Sequence, residues 1–325
     1  MDWRRQWAVR LAASWVCLIG LLWLASLPAG GQGNGPGLRV VATTNIVADA
    51  VRNVVGEAGT VVALMGPGVD PHLYQASQGD VRRLAEADVI FYNGLQLEGR
   101  LGDVLVRMAR RVPTYAVTEY LSHEQLLEAG ASGEAYDPHV WFDVRLWMRA
   151  VERIRDALVE VDPDRAETYR ANAQAYLATL EELDGWVRAR LALIPAERRV
   201  LVTAHDAFNY LGRAYGLEVV GLQGISTEAE YGLADVIELV DLLLERQVRA
   251  VFVETSVSGR GIQAVIEGAA ARGHQVALGG ELYSDALGAE GTEAGTYVGM
   301  VRHNVETMVA ALAPEAVDGL PQGEV

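Results

Sequence analysis

The feature that most restricts the fold of this 325-residue chain is one long helical stretch dividing two runs of strand and helix alternation. Asp162 and Pro163 form a helix start, an N-capping acid followed by a proline in the first turn. No glycine interrupts until Gly185, and the apolar spacing continues through Trp186, Val187 and Leu191 before stopping at Pro195. A helix from Asp164 to Ile194 would be about 46 Å long, more than a typical globular helix. The other reading breaks it at Asp184-Gly185, but a single mid-helix glycine costs only about 1 kcal/mol, which favours one helix.

Short apolar runs, several of them β-branched, precede this stretch at Leu38 to Ala42, Val61 to Leu64, Val89 to Tyr92 and Thr114 to Val117. Amphipathic segments such as Val47 to Val55 and Gln78 to Ala87 lie between them. The alternation resumes after Pro195, with strands expected at Val200 to Thr203, Glu218 to Leu222, Ala250 to Val253 and Gln275 to Leu278, and a clear helix at Leu233 to Arg246. Strand and helix in alternation imply parallel sheets covered by helices. The fold class expected is α/β: two lobes, each a parallel sheet flanked by helices, bridged by one long rigid α-helix. The boundaries are an N-terminal lobe over 38–161, the bridge over 162–194, a C-terminal lobe over 195–314 and a flexible tail over 315–325. Glycines such as Gly279-Gly280 lack the spacing of a dinucleotide fingerprint and the partners of a P-loop.

At the N-terminus, Arg4, Arg5 and Arg10 precede an apolar run from Leu11 to Leu27, and the small residues Ala29, Gly30 and Gly31 follow. This order reads as a secretory signal peptide over residues 1–31, giving a periplasmic or extracytoplasmic protein. A retained anchor is the alternative, because the run approaches the roughly 20 residues needed to span a bilayer. Cys17, the only cysteine, excludes a disulfide scaffold and lacks the preceding small residue expected of a lipid-attachment site. The net charge of -16 argues against nucleic-acid binding, since such a chain has no positive field to meet phosphate.

Three of the six histidines share a context. His72 and His139 each follow an Asp-Pro pair, Asp70-Pro71 and Asp137-Pro138, and His205 ends the strand run Leu201 to Ala204. Strand ends are where open α/β sheets hold their ligands, and neutral imidazole is a common ligand for zinc and similar metals. Asp70 and Asp137 are placed either to orient the rings or to cap the following segments. A fourth ligand is expected from the loop after the last strand, which offers Glu281 and Asp285, with Asp285 read as exposed to the cleft. His123, His274 and His303 read as surface or structural residues. Metal capture needs deprotonated imidazoles, so affinity is expected to fall as pH drops through roughly 6.5.

At these residues the sequence resembles the TroA-like periplasmic metal-binding proteins of bacterial zinc and manganese ABC importers. Both Asp-Pro-His elements, Thr203-Ala204-His205-Asp206-Ala207-Phe208 and Glu281-Leu282-Tyr283-Ser284-Asp285-Ala286-Leu287-Gly288 carry the match, which runs from Leu38 to about Leu312. The resemblance implies metal ligands at His72, His139, His205 and Asp285, a bridging helix that limits domain closure, and a solute-binding role rather than catalysis. It also implies an ABC importer permease with its cytoplasmic ATPase as partners, with Zn²⁺ or Mn²⁺ as transported ligand; a monomer is expected. Zinc-specific members often carry a His-rich loop before the second histidine, whereas Leu121 to Tyr136 holds only His123. Many manganese members place Glu where this chain has His205. Three His and one Asp suit tetrahedral Zn²⁺, and a bidentate Asp285 would help Mn²⁺, so the choice between metals stays open. The rival reading is a secreted zinc hydrolase with Glu254 as its general base; a purely structural metal is the other.

Overall fold

The computed structural model describes residues 37–129 and 135–317. The expected signal peptide and residues 318–325 of the expected tail lie outside that range. Among the described residues no helix is long and apolar enough to cross a membrane.

In chain order the first half holds β1 (Leu38–Ala42), α1 (Asn45–Val55), β2 (Gly59–Ala63), α2 (Gln78–Glu86), β3 (Val89–Tyr92), α3 (Gly102–Met108), β4 (Thr114–Ala116) and α4 (Val144–Val161). The four strands form one parallel sheet in the order β2-β1-β3-β4. After α5 (Ala166–Leu191) come β5 (Val200–His205), α6 (Asn209–Tyr215), β6 (Glu218–Gln223), α7 (Leu233–Arg246), β7 (Ala250–Glu254), α8 (Arg260–Ala271), β8 (Ala277–Leu282), α9 (Tyr297–Leu312) and the short α10 (Pro314–Val317). Here the strands make two parallel pairs, β5-β6 and β7-β8, with β5 lying against β7. The α/β architecture read from the alternation is therefore observed.

The period of two along each strand decides the layering. In the first half Val40, Ala42, Val89 and Phe91 face inward, while Val41 and Ile90 face an outer layer with Leu84, Leu101 and Leu105. In the second half Leu201, Ala250 and Phe252 face inward, while Val202, Ala204 and Val251 face Leu239, Leu243, Ile262 and Val265 of α7 and α8. Both inward faces belong to one continuous apolar core that also takes in α1, α4, α5 and α9. The two sheets are thus joined by a common inner layer of helices as well as by the long helix.

The long helix is unbroken through Gly185, preceded by a 3₁₀ turn at Pro163–Arg165. Its 26 α-helical residues span about 39 Å at 1.5 Å each. Tyr169, Ala173, Tyr176, Leu180, Leu183, Val187 and Leu191 are buried at spacings of three and four, giving a single stripe against α1, α4 and α9. Asp184, beside the glycine, holds the stretch in place. It accepts from the Tyr215 hydroxyl at 2.9 Å, Arg145 Nε at 2.9 Å and Arg188 at 3.3 Å.

The largest departure among the expected strands is β8, which begins and ends later than Gln275 to Leu278 and passes through Gly279 and Gly280. A Cβ at Gly279 would sit 2.7 Å from the Phe252 ring, and Gly280 has φ 144 with no room beside Thr307. These glycines let α9 pack directly on the strand, and a register shift between Val251 and Phe252 accommodates them.

Asp184→Ala should destabilise the protein by about 1–3 kcal/mol in urea denaturation, because the buried Tyr215 hydroxyl loses its acceptor, whereas the exposed arginines add little. Unchanged stability would show that the network at the glycine contributes nothing.

Candidate metal centre

Parallel strands put their carboxyl ends on one side of each sheet, and all the candidate residues lie there. His72 is in the loop after β2, His139 in the loop between β4 and α4, His205 is the last residue of β5, and Asp285 follows β8. The structure brings these four together: one donor atom from each lies within 4.8 Å of all the others. His72 Nε2 and His139 Nε2 are 3.3 Å apart; Asp285 Oδ1 lies 3.3 Å from His139 Nε2 and Asp285 Oδ2 lies 3.3 Å from His205 Nε2. A tetrahedral shell with zinc-to-nitrogen distances of about 2.0–2.1 Å has edges of about 3.3–3.4 Å, which these separations match, and the four donors all lie within the 4.8 Å that one ion could span. Because each carboxylate oxygen of Asp285 faces a different histidine, the same arrangement also permits bidentate binding.

The cluster is sealed. His72 is 2% exposed, Asp285 1%, and His139 and His205 are fully buried. Asp285 is therefore not a cleft-exposed acid, contrary to the expectation from its loop. Trp141 Nε1 donates to the Ser284 carbonyl at 3.0 Å, and Asn45 brackets Leu287 with two hydrogen bonds, which draw the loop inward. His205 Nε2 and Asp285 Oδ1 are buried without a hydrogen-bond partner, an arrangement that is costly unless a cation binds there.

The two Asp-Pro-His elements work differently. Asp137 Oδ1 lies 2.8 Å from His139 Nδ1 and also accepts from the His139 backbone N–H, so it fixes the ring with Nε2 inward. Asp137 is itself held by Asn209 Nδ2 at 3.2 Å, and its carbonyl accepts from the Tyr210 hydroxyl. Asp70 does not reach the His72 ring. It accepts from the His72 backbone N–H with one oxygen and from the Thr227 hydroxyl, across the molecule, with the other. His205 is oriented by Glu254, whose Oε2 comes within 2.5 Å of Nδ1 while Oε1 accepts the His205 backbone N–H at 2.8 Å. The orienting role of Glu254 is the part of the site that the sequence did not assign. The available signal was its position at the carboxyl end of β7, the strand beside β5.

Burial opposes charge on every imidazole in the cluster. It pushes His72 down to about 3. At His139 burial acts the same way, but Asp137 and Asp285 outweigh it and the ring is raised to about 9. His205 is likewise penalised by burial and nevertheless raised well above the ordinary value by Glu254 and Asp285. Burial alone would raise Asp285, yet His205 and His139 hold it well below the usual carboxylate range. The cluster thus favours cations in contact with its carboxylates.

The remaining histidines lie elsewhere. His123 bonds to the Tyr136 hydroxyl, His274 to the Val248 carbonyl and His303 to the Glu281 carbonyl. Glu281, the other acid offered by the loop, is exposed on β8.

The protein family described as zinc-uptake complex component A periplasmic matches residues 40–311. The manganese-binding lipoprotein MntA of Bacillus subtilis is 52% identical over 275 residues, covering 85% of this chain and 90% of that protein. The manganese ABC transporter substrate-binding lipoprotein PsaA of Streptococcus anginosus is 30% identical, covering 86% of this chain and 91% of that protein. Among solved structures, the periplasmic zinc-binding protein TroA of Treponema pallidum aligns with a TM-score of 0.83 at 46% identity, covering 86% of this chain and all of that one.

Glu254→Gln should weaken metal binding by about 10- to 100-fold in chelator competition, because the ring of His205 loses its charged partner while the site keeps its shape. An affinity within twofold of the parent would remove Glu254 from that role.

Proposed function

The chain belongs to the zinc-uptake complex component A periplasmic family, and from that premise we propose that it captures a divalent transition metal, zinc or manganese, outside the cytoplasm and delivers it to an ABC importer. The observation that carries the reading is the sealed convergence of three imidazoles and a carboxylate. His72, His139, His205 and Asp285 hold the ion, two ligands from each side of the long helix. The separations of 3.3 Å suit a small tetrahedral ion, and affinity at such a set rises from Mn²⁺ to Zn²⁺. Zinc is therefore the tighter ligand, and the bidentate reach of Asp285 makes manganese acceptable. The relatives named for manganese and for zinc support this breadth.

The protein is a binding component and not an enzyme. A hydrolytic zinc needs an open coordination position and a free base nearby. Here the fourth position is taken by Asp285, and Glu254 is committed to His205. The partners are the importer's membrane permease and, through it, the ATPase, a reading supported by the relative named as an ABC transporter substrate-binding protein. We assign export to a signal peptide over residues 1–31, and the exported chain acts as a monomer whose N-terminal lobe, bridge and C-terminal lobe follow the boundaries 38–161, 162–194 and 195–314. The inner core shared by both sheets supports limited closure on binding.

Competition of Zn²⁺ against Mn²⁺ on the demetallated exported chain, with bound metal counted by elemental analysis, should give one ion per chain and displacement of Mn²⁺ by Zn²⁺. His139→Ala should abolish tight binding of both while circular dichroism stays unchanged. Full retention of metal in that variant would overturn the ligand assignment. Mild chelation should release the metal from a chain that stays folded; unfolding on chelation would indicate a structural ion instead.

A further inference from the structure

Resting on the metal-capture reading, one observation extends it to how the ion leaves. The four donors are buried to 2% exposure or less, so an ion cannot exchange without some part of the shell moving. The shell is not equally held. His139 is fixed at the ring by Asp137, His205 is fixed at the ring by Glu254, and Asp285 sits in a loop pinned by Trp141 and Asn45. Among the described residues no carboxylate orients the His72 ring. Its placement depends on its backbone N–H, which donates to Asp70 Oδ1 at 2.9 Å.

Asp70 in turn is held from the other half of the molecule. The Thr227 hydroxyl, in the segment after β6, donates to Asp70 Oδ2 at 2.6 Å, and Thr227 is 7% exposed. That segment is itself anchored: the Gln223 amide donates to the carbonyls of Thr227 and Ala229 at 2.8 and 2.6 Å. A second cross-connection runs from Arg100 Nε to Glu228 at 2.7 Å, but both side chains are more than two-fifths exposed and contribute little. The chain of contacts from Gln223 to Thr227 to Asp70 to His72 is thus the part-buried tie that links the least-fixed donor to the opposite half.

We propose that Thr227 is a positioning residue for His72, and that breaking its hydrogen bond to Asp70 is the step by which the site opens and releases its metal. His72 is the first donor to leave, carried by its loop away from three donors that stay in place. The role belongs to the hydroxyl and not to the bulk of the side chain, which gives an isosteric test.

Purified full chain loaded with Zn²⁺ is challenged with excess chelator, and release is followed by stopped flow for the parent, Thr227→Val and Thr227→Ser. The expected result is about tenfold faster release in Thr227→Val, the loss of one hydrogen bond to a charged group, with Thr227→Ser restoring slow release. Circular dichroism of the metal-free protein should match the parent's in both variants. Equal release rates in parent and Thr227→Val would overturn the proposal, as would equal acceleration in the Val and Ser variants. Failure of the parent itself to bind Zn²⁺ would instead remove the metal-capture reading on which the proposal rests.

Discussion

Three imidazoles and three carboxylates, those of Asp137, Glu254 and Asp285, are buried within contact of one another, and burying charge without compensation is among the most expensive things a fold can do. Much of the surrounding structure can be understood as what makes this cluster tolerable. Each ring of His139 and His205 turns one nitrogen to an acid and the other toward the centre. His205 Nε2 and Asp285 Oδ1, which lack a hydrogen-bond partner, lie on that central side. A divalent cation there would satisfy in one step what the polypeptide leaves open, so the binding energy of the metal and the cost of the metal-free cluster would be two sides of one balance.

Holding such a cluster to a few tenths of an ångström requires that the two sheets not drift. The inner core runs without interruption from β1 and β3 through α1, α4, α5 and α9 to β5 and β7. Several hydrogen bonds cross the same boundary close to the site, from Tyr297 to the Trp141 carbonyl at 2.6 Å and from the Tyr297 backbone to Asp49 at 3.1 Å. These ties put any opening at the loops above the core, because repacking the core itself would expose large side chains such as Trp141, Trp147 and Tyr297.

Much of this was legible in the sequence, for identifiable reasons. The strands have clear β-branched runs, and β1 and β3 follow their apolar runs residue for residue. The long helix was readable because it lacks proline and has one glycine. The donors stood out because Asp-Pro-His occurs twice and His205 ends a strand. No helix was expected at α4, although Val144, Trp147, Val151, Ile154 and Leu158 recur at helical spacing. The burial of Asp285, the task of Glu254 and the unequal roles of Asp70 and Asp137 depend on contacts between residues more than 40 positions apart, which no local pattern encodes.

The central claim is that four named side chains surround one ion. Diffraction from crystals of the zinc-loaded protein, collected on both sides of the zinc absorption edge, tests it directly. The account predicts one strong anomalous peak about 2.0–2.2 Å from His72 Nε2, His139 Nε2, His205 Nε2 and an oxygen of Asp285. A peak elsewhere, or an ion at the cluster lacking any of the three imidazoles, would contradict it.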